Sequence, residues 1–291
     1  LLGNNLAFYF RDKFNILGLY LSHPVTINGI QTQKADILSG DSLKSIVRKF
    51  NPDIIIHCAS LTDVDFCEMN REITDMVNVK GTKIVVESIT KRNTKLVYIS
   101  SESVYDGGKG DFRESDPVDP QNYYGLSKYK GELEVLKKSG ALIIRTNIFG
   151  WNIQEKFSIA ERIINELSNK RPVKGFRDAF FSSIYTFDLA EILDKAIDRD
   201  LGGIYNCASR TSLSKYEFAL HVADCFHLEK ELIRPISIDD FDFKAKRGKD
   251  LTLNVSKLQN VLNYQFPSII ESIQDFHKDS QSGIQQKIKR A

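Results

Sequence analysis

Lys95-Leu96-Val97-Tyr98-Ile99-Ser100 is followed, after a loop, by a helical pattern at 123–138 and then by Ala141-Leu142-Ile143-Ile144-Arg145-Thr146. Both runs are short, apolar and rich in branched residues, which suits strands buried on two faces. Strand, helix, strand in that order predicts a βαβ unit and a parallel sheet. Upstream the texture repeats. Asn15–Tyr20 and Asp53–Ala59 read as strands, and 41–50 and 70–92 read as helices. The expected class is α/β.

After Gly150 the alternation weakens. Helical patterns at 157–169 and 187–199 flank the loop-like Gly175-Phe176-Arg177-Asp178, and Gly203–Cys207 reads as a late strand. Ser214 and Glu217 form a capping-box signature for a helix over 215–226. Short helices are expected near 255–262 and 269–277, and the polar residues 279–291 are expected to form a flexible tail. Residues 1–150, with contributions from 183–207, are expected to form one domain; 151–182 and 208–278 are expected to form a smaller α+β substrate lobe.

The 291 residues carry 40 basic and 38 acidic side chains, a net charge of +2. Such a balance leaves no electrostatic footprint for nucleic acid or for an anionic membrane. No run approaches the ~20 apolar residues of a membrane span. The four cysteines, Cys58, Cys67, Cys207 and Cys225, show no C-x-x-C spacing. They are expected to be small buried hydrophobes in a reducing, cytoplasmic compartment, and no metal site is expected.

Tyr124-Gly125-Leu126-Ser127-Lys128 places a phenol and an ammonium four residues apart, on one helical face. Such a phenol exchanges a proton with a carbonyl or alcohol oxygen, and a nearby cation favours its ionised form. Ser100-Ser101 ends the preceding strand. In a parallel sheet the carboxyl ends of the strands face the ligand crevice, so the hydroxyl and the Tyr/Lys pair are expected to meet over one ligand.

Further segments carry a family resemblance: His57–Glu68, Tyr98–Gly107, Pro120–Lys128 with Gly131-Glu132, Arg145–Trp151, Ser214–Phe218 and Arg247–Asp250. The chain resembles an extended short-chain dehydrogenase/reductase of the dTDP-4-dehydrorhamnose reductase family. The resemblance implies a Rossmann-like doubly wound sheet and three catalytic residues. Ser101 hydrogen-bonds the reacting oxygen, Tyr124 is the proton donor, and Lys128 binds the nicotinamide ribose and lowers the tyrosine pKa. It also implies cofactor contacts from Gly3, Asn4, Asn5 and Leu6 at a helix start, from Asp36 and Ile37 at the adenine, and from Ala59, Ser60, Leu61, Asn78, Ser100, Thr146 and Ile148. On the substrate side it implies Glu102, Ser103, Val104, Trp151 and Arg247. Trp151 would face the sugar or base, or equally anchor the core.

The chain also departs from the family pattern. Glu102 and Ser103 stand where the family often has Asp-Tyr, and Gly248 and Ser183 replace prolines. The family's first strand and first two loop glycines have no counterpart ahead of Gly3, so this chain is expected to be an N-terminally truncated piece that would hold its cofactor poorly. Gly18–Pro24 has no carboxylate to read a ribose 2′-hydroxyl. Ser22 and His23 would instead accept a 2′-phosphate, so NADP(H) is favoured over NAD(H). The expected substrate is a nucleotide-linked sugar, and a homodimer is left open. Two other readings compete: an NAD-dependent nucleotide-sugar epimerase or dehydratase, and a non-catalytic dinucleotide-binding regulatory subunit like that of methionine adenosyltransferase.

Overall fold

The computed structural model describes residues 1–152, 156–284 and 287. Its strands are β1 (Leu17–Tyr20), β2 (Gln31–Lys34), β3 (Ile54–His57), β4 (Lys95–Ser101), β5 (Leu142–Thr146), β6 (Ile148–Phe149), β7 (Val173–Phe176), β8 (Phe180–Phe181), β9 (Ile184–Tyr185), β10 (Gly203–Asn206), β11 (Leu213–Ser214) and β12 (Ile233–Ile236). The helices are α1 (Leu2–Phe10), α2 (Gly40–Phe50), α3 (Val64–Met69), α4 (Arg71–Thr74), α5 (Gly81–Ser88), α6 (Tyr123–Val135), α7 (Ile159–Ser168), α8 (Thr186–Asp198), α9 (Lys215–Cys225), α10 (Ser256–Leu262) and α11 (Ile269–Gln281).

β10, β5, β4 and β3 form a parallel sheet in that order, and β1 and β2 pair in a separate parallel ribbon. Alternate residues of a strand face opposite sides, and the burial follows this period. Val97, Leu142 and Ile144 join Leu2, Leu6, Leu189, Leu193 and Leu258 in one core. Leu96, Tyr98 and Ile143 join Leu43, Val85 and Val135 in another. The sheet is therefore covered by α1, α8 and α10 on one face and by α2, α5 and α6 on the other, the doubly wound arrangement the sequence predicts. A third core, with Phe149, Trp151, Phe218, Ile273 and Phe276, joins the β6–β9 pair to α7, α9 and α11.

The helix predicted over 70–92 is divided. It starts at Val64, breaks at Asn70, widens to a π-turn over Asp75–Lys80 and ends at Ser88. The capping box at Ser214 forms as read: its hydroxyl accepts from the Glu217 amide at 3.1 Å, and the Glu217 carboxylate accepts from the Ser214 amide at 2.8 Å. The expected tail begins later than residue 279. α11 runs on to Gln281 because Phe276 is fully buried and the Tyr185 hydroxyl donates to Asp279 at 2.8 Å. The remainder of that tail beyond 284, residue 287 apart, lies outside the described residues. All four cysteines are free thiols, Cys67 and Cys207 buried and the other two half-buried.

Candidate active site

The site is built where β4 ends and α6 begins. Asn122 caps α6, its side-chain oxygen accepting from the Gly125 amide at 3.0 Å. Glu68 on α3 adds a second acceptor for the helix start, taking the Tyr123 amide at 2.8 Å. Gly125 sits against the backbone of the turn at Glu102–Val104: a Cβ there would lie 2.0 Å from the Ser103 carbonyl oxygen. The glycine thus lets the tyrosine-bearing turn of α6 close onto the residues that follow Ser101.

Ser101 is buried. Its hydroxyl donates to Glu102 at 3.2 Å and accepts from the Ser103 amide at 3.2 Å. Tyr124 is half-buried, and its pKa moves up because burial and the nearby Glu102 carboxylate outweigh the lowering influence of Ser101. Glu102 is itself raised by burial while accepting from Asn147 at 2.6 Å. The expected downward pull of Lys128 on the tyrosine is absent: Lys128 points its Nζ at the Ile99 carbonyl, 2.8 Å away, and over the Tyr98 ring, 4.2 Å from its centroid. Burial brings Lys128 down to about 7.

Asn78, in the π-turn, braces the neighbouring loop. Its oxygen accepts from the Leu61 amide at 2.8 Å and the Ser60 hydroxyl at 3.0 Å, and its nitrogen donates to Ser127 on α6 at 2.9 Å. Ala59 is exposed beside it. Thr146 is the register partner of Ser101, and its buried hydroxyl has no hydrogen-bond partner among the described residues. Arg247 donates to Asp65 at 2.9 Å, stacks over Phe243 and lines a cavity of about 680 Å³ with Gly107, Phe241 and Lys249. Neither Ser101 nor Tyr124 lines that cavity.

Residues 15–282 match the RmlD substrate binding domain. The chain belongs to that family. This RmlD-family chain is 28% identical over 244 residues to dTDP-4-dehydrorhamnose reductase of Aggregatibacter actinomycetemcomitans, covering 79% of this chain and 82% of that one. It is also 28% identical to methionine adenosyltransferase 2 subunit beta of Xenopus tropicalis, over 78% of this chain and 70% of that one. The crystal structure of dTDP-4-dehydrorhamnose reductase from Bacillus anthracis in complex with NADP superimposes with a TM-score of 0.82 at 25% identity, covering 95% of this chain and 97% of that chain. The RmlD-family chain is thus an NAD(P)-dependent oxidoreductase of the extended short-chain dehydrogenase/reductase type.

Several residues that the resemblance assigns to this RmlD-family site engage their side chains with other parts of the fold, and others stand at its margins. Trp151 is a core anchor: its ring stacks on Phe276 at 4.0 Å and its Nε1 donates to the Phe276 carbonyl at 3.2 Å. Leu6 and Val104 are buried in the sheet core. Asn5 is fully buried, donating to the Trp151 carbonyl and accepting from Thr186, each at 2.9 Å. Ser100 turns away from Ser101 and donates to Glu132 at 2.6 Å, because successive strand residues face opposite sides. Gly3 lies in the first turn of α1, where a Cβ would make an ordinary 3.8 Å contact with Cys58. Asn4 is half-buried there, Asp36 is exposed, and Ile37 and Ile148 are half-buried. Lys215 escaped sequence reading. It opens α9, burial lowers its pKa, and the Glu102 carboxylate partly restores it. No local signal marks it, since only packing brings α9 to Glu102.

Proposed function

We propose that this protein reduces the 4-keto group of a nucleotide-linked deoxysugar with NADPH. The observation that carries the reading is the close packing of the Tyr124-bearing turn of α6, through Gly125, onto the residues that follow Ser101 at the carboxyl end of β4. Tyr124 holds its proton at neutral pH and gives it to the oxygen of the ketone. Ser101 donates a hydrogen bond to the same oxygen and so orients it. Lys128 would bind the ribose hydroxyls of the cofactor. The fit of a dinucleotide is supported by the start of α1 beside Cys58 at the end of β3, where first-turn amides attract a pyrophosphate, and by the unpartnered Thr146 hydroxyl. When bound, the nicotinamide supplies the hydride. Ser22 and His23, joined at 2.9 Å on the surface, would take the 2′-phosphate. Arg247 and Ser103 lie on the substrate side.

The test is to mix the protein with NADPH and a panel of nucleotide-linked 4-keto sugars and follow the loss of NADPH absorbance. Consumption with one of them is expected. No consumption with any, alongside measurable dinucleotide binding, would replace this reading by a regulatory, non-catalytic one. That alternative draws on the similarity to methionine adenosyltransferase 2 subunit beta.

A further inference from the structure

The α6 face that carries Tyr124 and Lys128 continues one turn further, to the fully buried Glu132. Residues four apart on a helix are neighbours, about 5–6 Å between Cβ atoms. The Glu132 carboxylate ties α6 to two strands. Oε1 accepts from Ser100 Oγ on β4 at 2.6 Å and from Arg145 Nε on β5 at 2.9 Å; Oε2 accepts from Arg145 Nη2 at 2.7 Å. Arg145 Nη1 donates to the Tyr105 hydroxyl at 2.8 Å, which lies 3.3 Å from Asn206 Oδ1. Ser100, Arg145 and Asn206 are register partners across β4, β5 and β10, one row behind Ser101 and Thr146.

The surroundings of Lys128 give this carboxylate a second role. His57 and Cys58 neighbour it at the end of β3, Tyr98 on β4 and Glu132 on α6. Burial and Lys128 itself bring His57 down to about 3, so it stays neutral. Burial pushes Cys58 up to about 12 and raises Tyr98 and Tyr124 as well. Among its neighbours, Glu132 is the largest influence that raises Lys128 against its burial.

We propose that Glu132 is a positioning residue of the active site: it locks the Tyr124–Lys128 face of α6 onto the Ser100–Arg145–Asn206 row and supplies the charge that keeps the Lys128 ammonium protonated. This rests on the assignment of Tyr124 and Lys128 to the site. A carboxylate serving only to hold the fold would leave the ionisation of Lys128 unchanged when replaced by an isosteric apolar pair.

The experiment is an NMR titration of lysine side chains in the whole chain, with the Lys128 signal assigned by its loss in Lys128→Arg. In Glu132→Gln the charged fraction of Lys128 at neutral pH should fall several-fold. That variant strands the Arg145 charge in the interior and is prone to unfold. Glu132→Leu/Arg145→Met removes both charges and restores apolar packing, and the same fall is expected there. Wild-type titration of Lys128 in the double variant overturns the proposal. So does failure of the double variant to fold, which assigns the pair a purely structural role. The readout needs no substrate, so its outcome is independent of whether NADPH consumption is found.

Discussion

Lys128 donates its ammonium to the Ile99 carbonyl at 2.8 Å, pinning the middle of α6 to β4 two residues before Ser101. The same burial that makes this contact depresses the lysine to about 7.

A pH dependence follows from that contact. Unfolded, the lysine titrates near ~10.4. Between about 7 and that value the unfolded chain holds a proton that the folded chain has lost, so the Lys128 contribution to stability rises with pH across the window. Dinucleotide affinity should run the other way and weaken as pH rises through about 7, because the ribose contact needs the ammonium. NADPH fluorescence titrations on both sides of that value check it, and Lys128→Met should flatten the profile.

Tyr124→Phe removes the proposed proton donor while keeping the ring. Turnover should drop by roughly 10²–10⁴-fold, the usual contribution of a positioned acid. NADPH affinity should stay within about twofold if the phenol acts only on the substrate oxygen. Steady-state rates and equilibrium binding measured on the same preparation separate the two effects.

Gly125→Ala places a methyl group where the Ser103 carbonyl oxygen stands, 2.0 Å away. Backbone must move, and overpacking of this kind costs about 1–3 kcal/mol. The turn carrying Glu102 and Ser103 moves with it, so activity should fall further than the loss of folded protein explains. Urea midpoints and turnover measured well below the midpoint test this.

Asp188 on α8 accepts a hydrogen bond from Ser272 on α11, and burial together with Asp275, Glu191 and Asp279 raises it to about 7. Unfolded, it titrates near ~3.9. The protonated form therefore stabilises the folded chain below the unfolded value, and this contribution is lost as pH rises through about 7. Thermal melts of the wild type should show that decline. Asp188→Asn, which keeps the acceptor without the charge, should melt higher than wild type above about pH 7.

How far the site was legible depends on the range of the interactions that make it. Ser101, Tyr124 and Lys128 stand out as candidates in the sequence because a strand end, a helix start and a four-residue spacing are local features. The side-chain partners of Asn5, Leu6 and Ser100, and the core role that Trp151 takes of its two readings, were not legible because they come from Thr186, the sheet core, Glu132 and Phe276, all distant in the chain. For Ser100 the period of two along β4 already held the answer, since Ser100 and Ser101 must face opposite sides.

By itself the sequence determined the βαβ order, the parallel sheet, the capped helices and the residue types at the carboxyl end of β4, because periodicity and capping act over a few residues. Only the tertiary structure decided the charge states. Tyr124 is raised instead of lowered, Lys128 is brought to about 7, and Glu132 is paired with Arg145 one turn further along α6. Desolvation and pairing depend on which distant elements cover a group, and no local pattern along the chain encodes that.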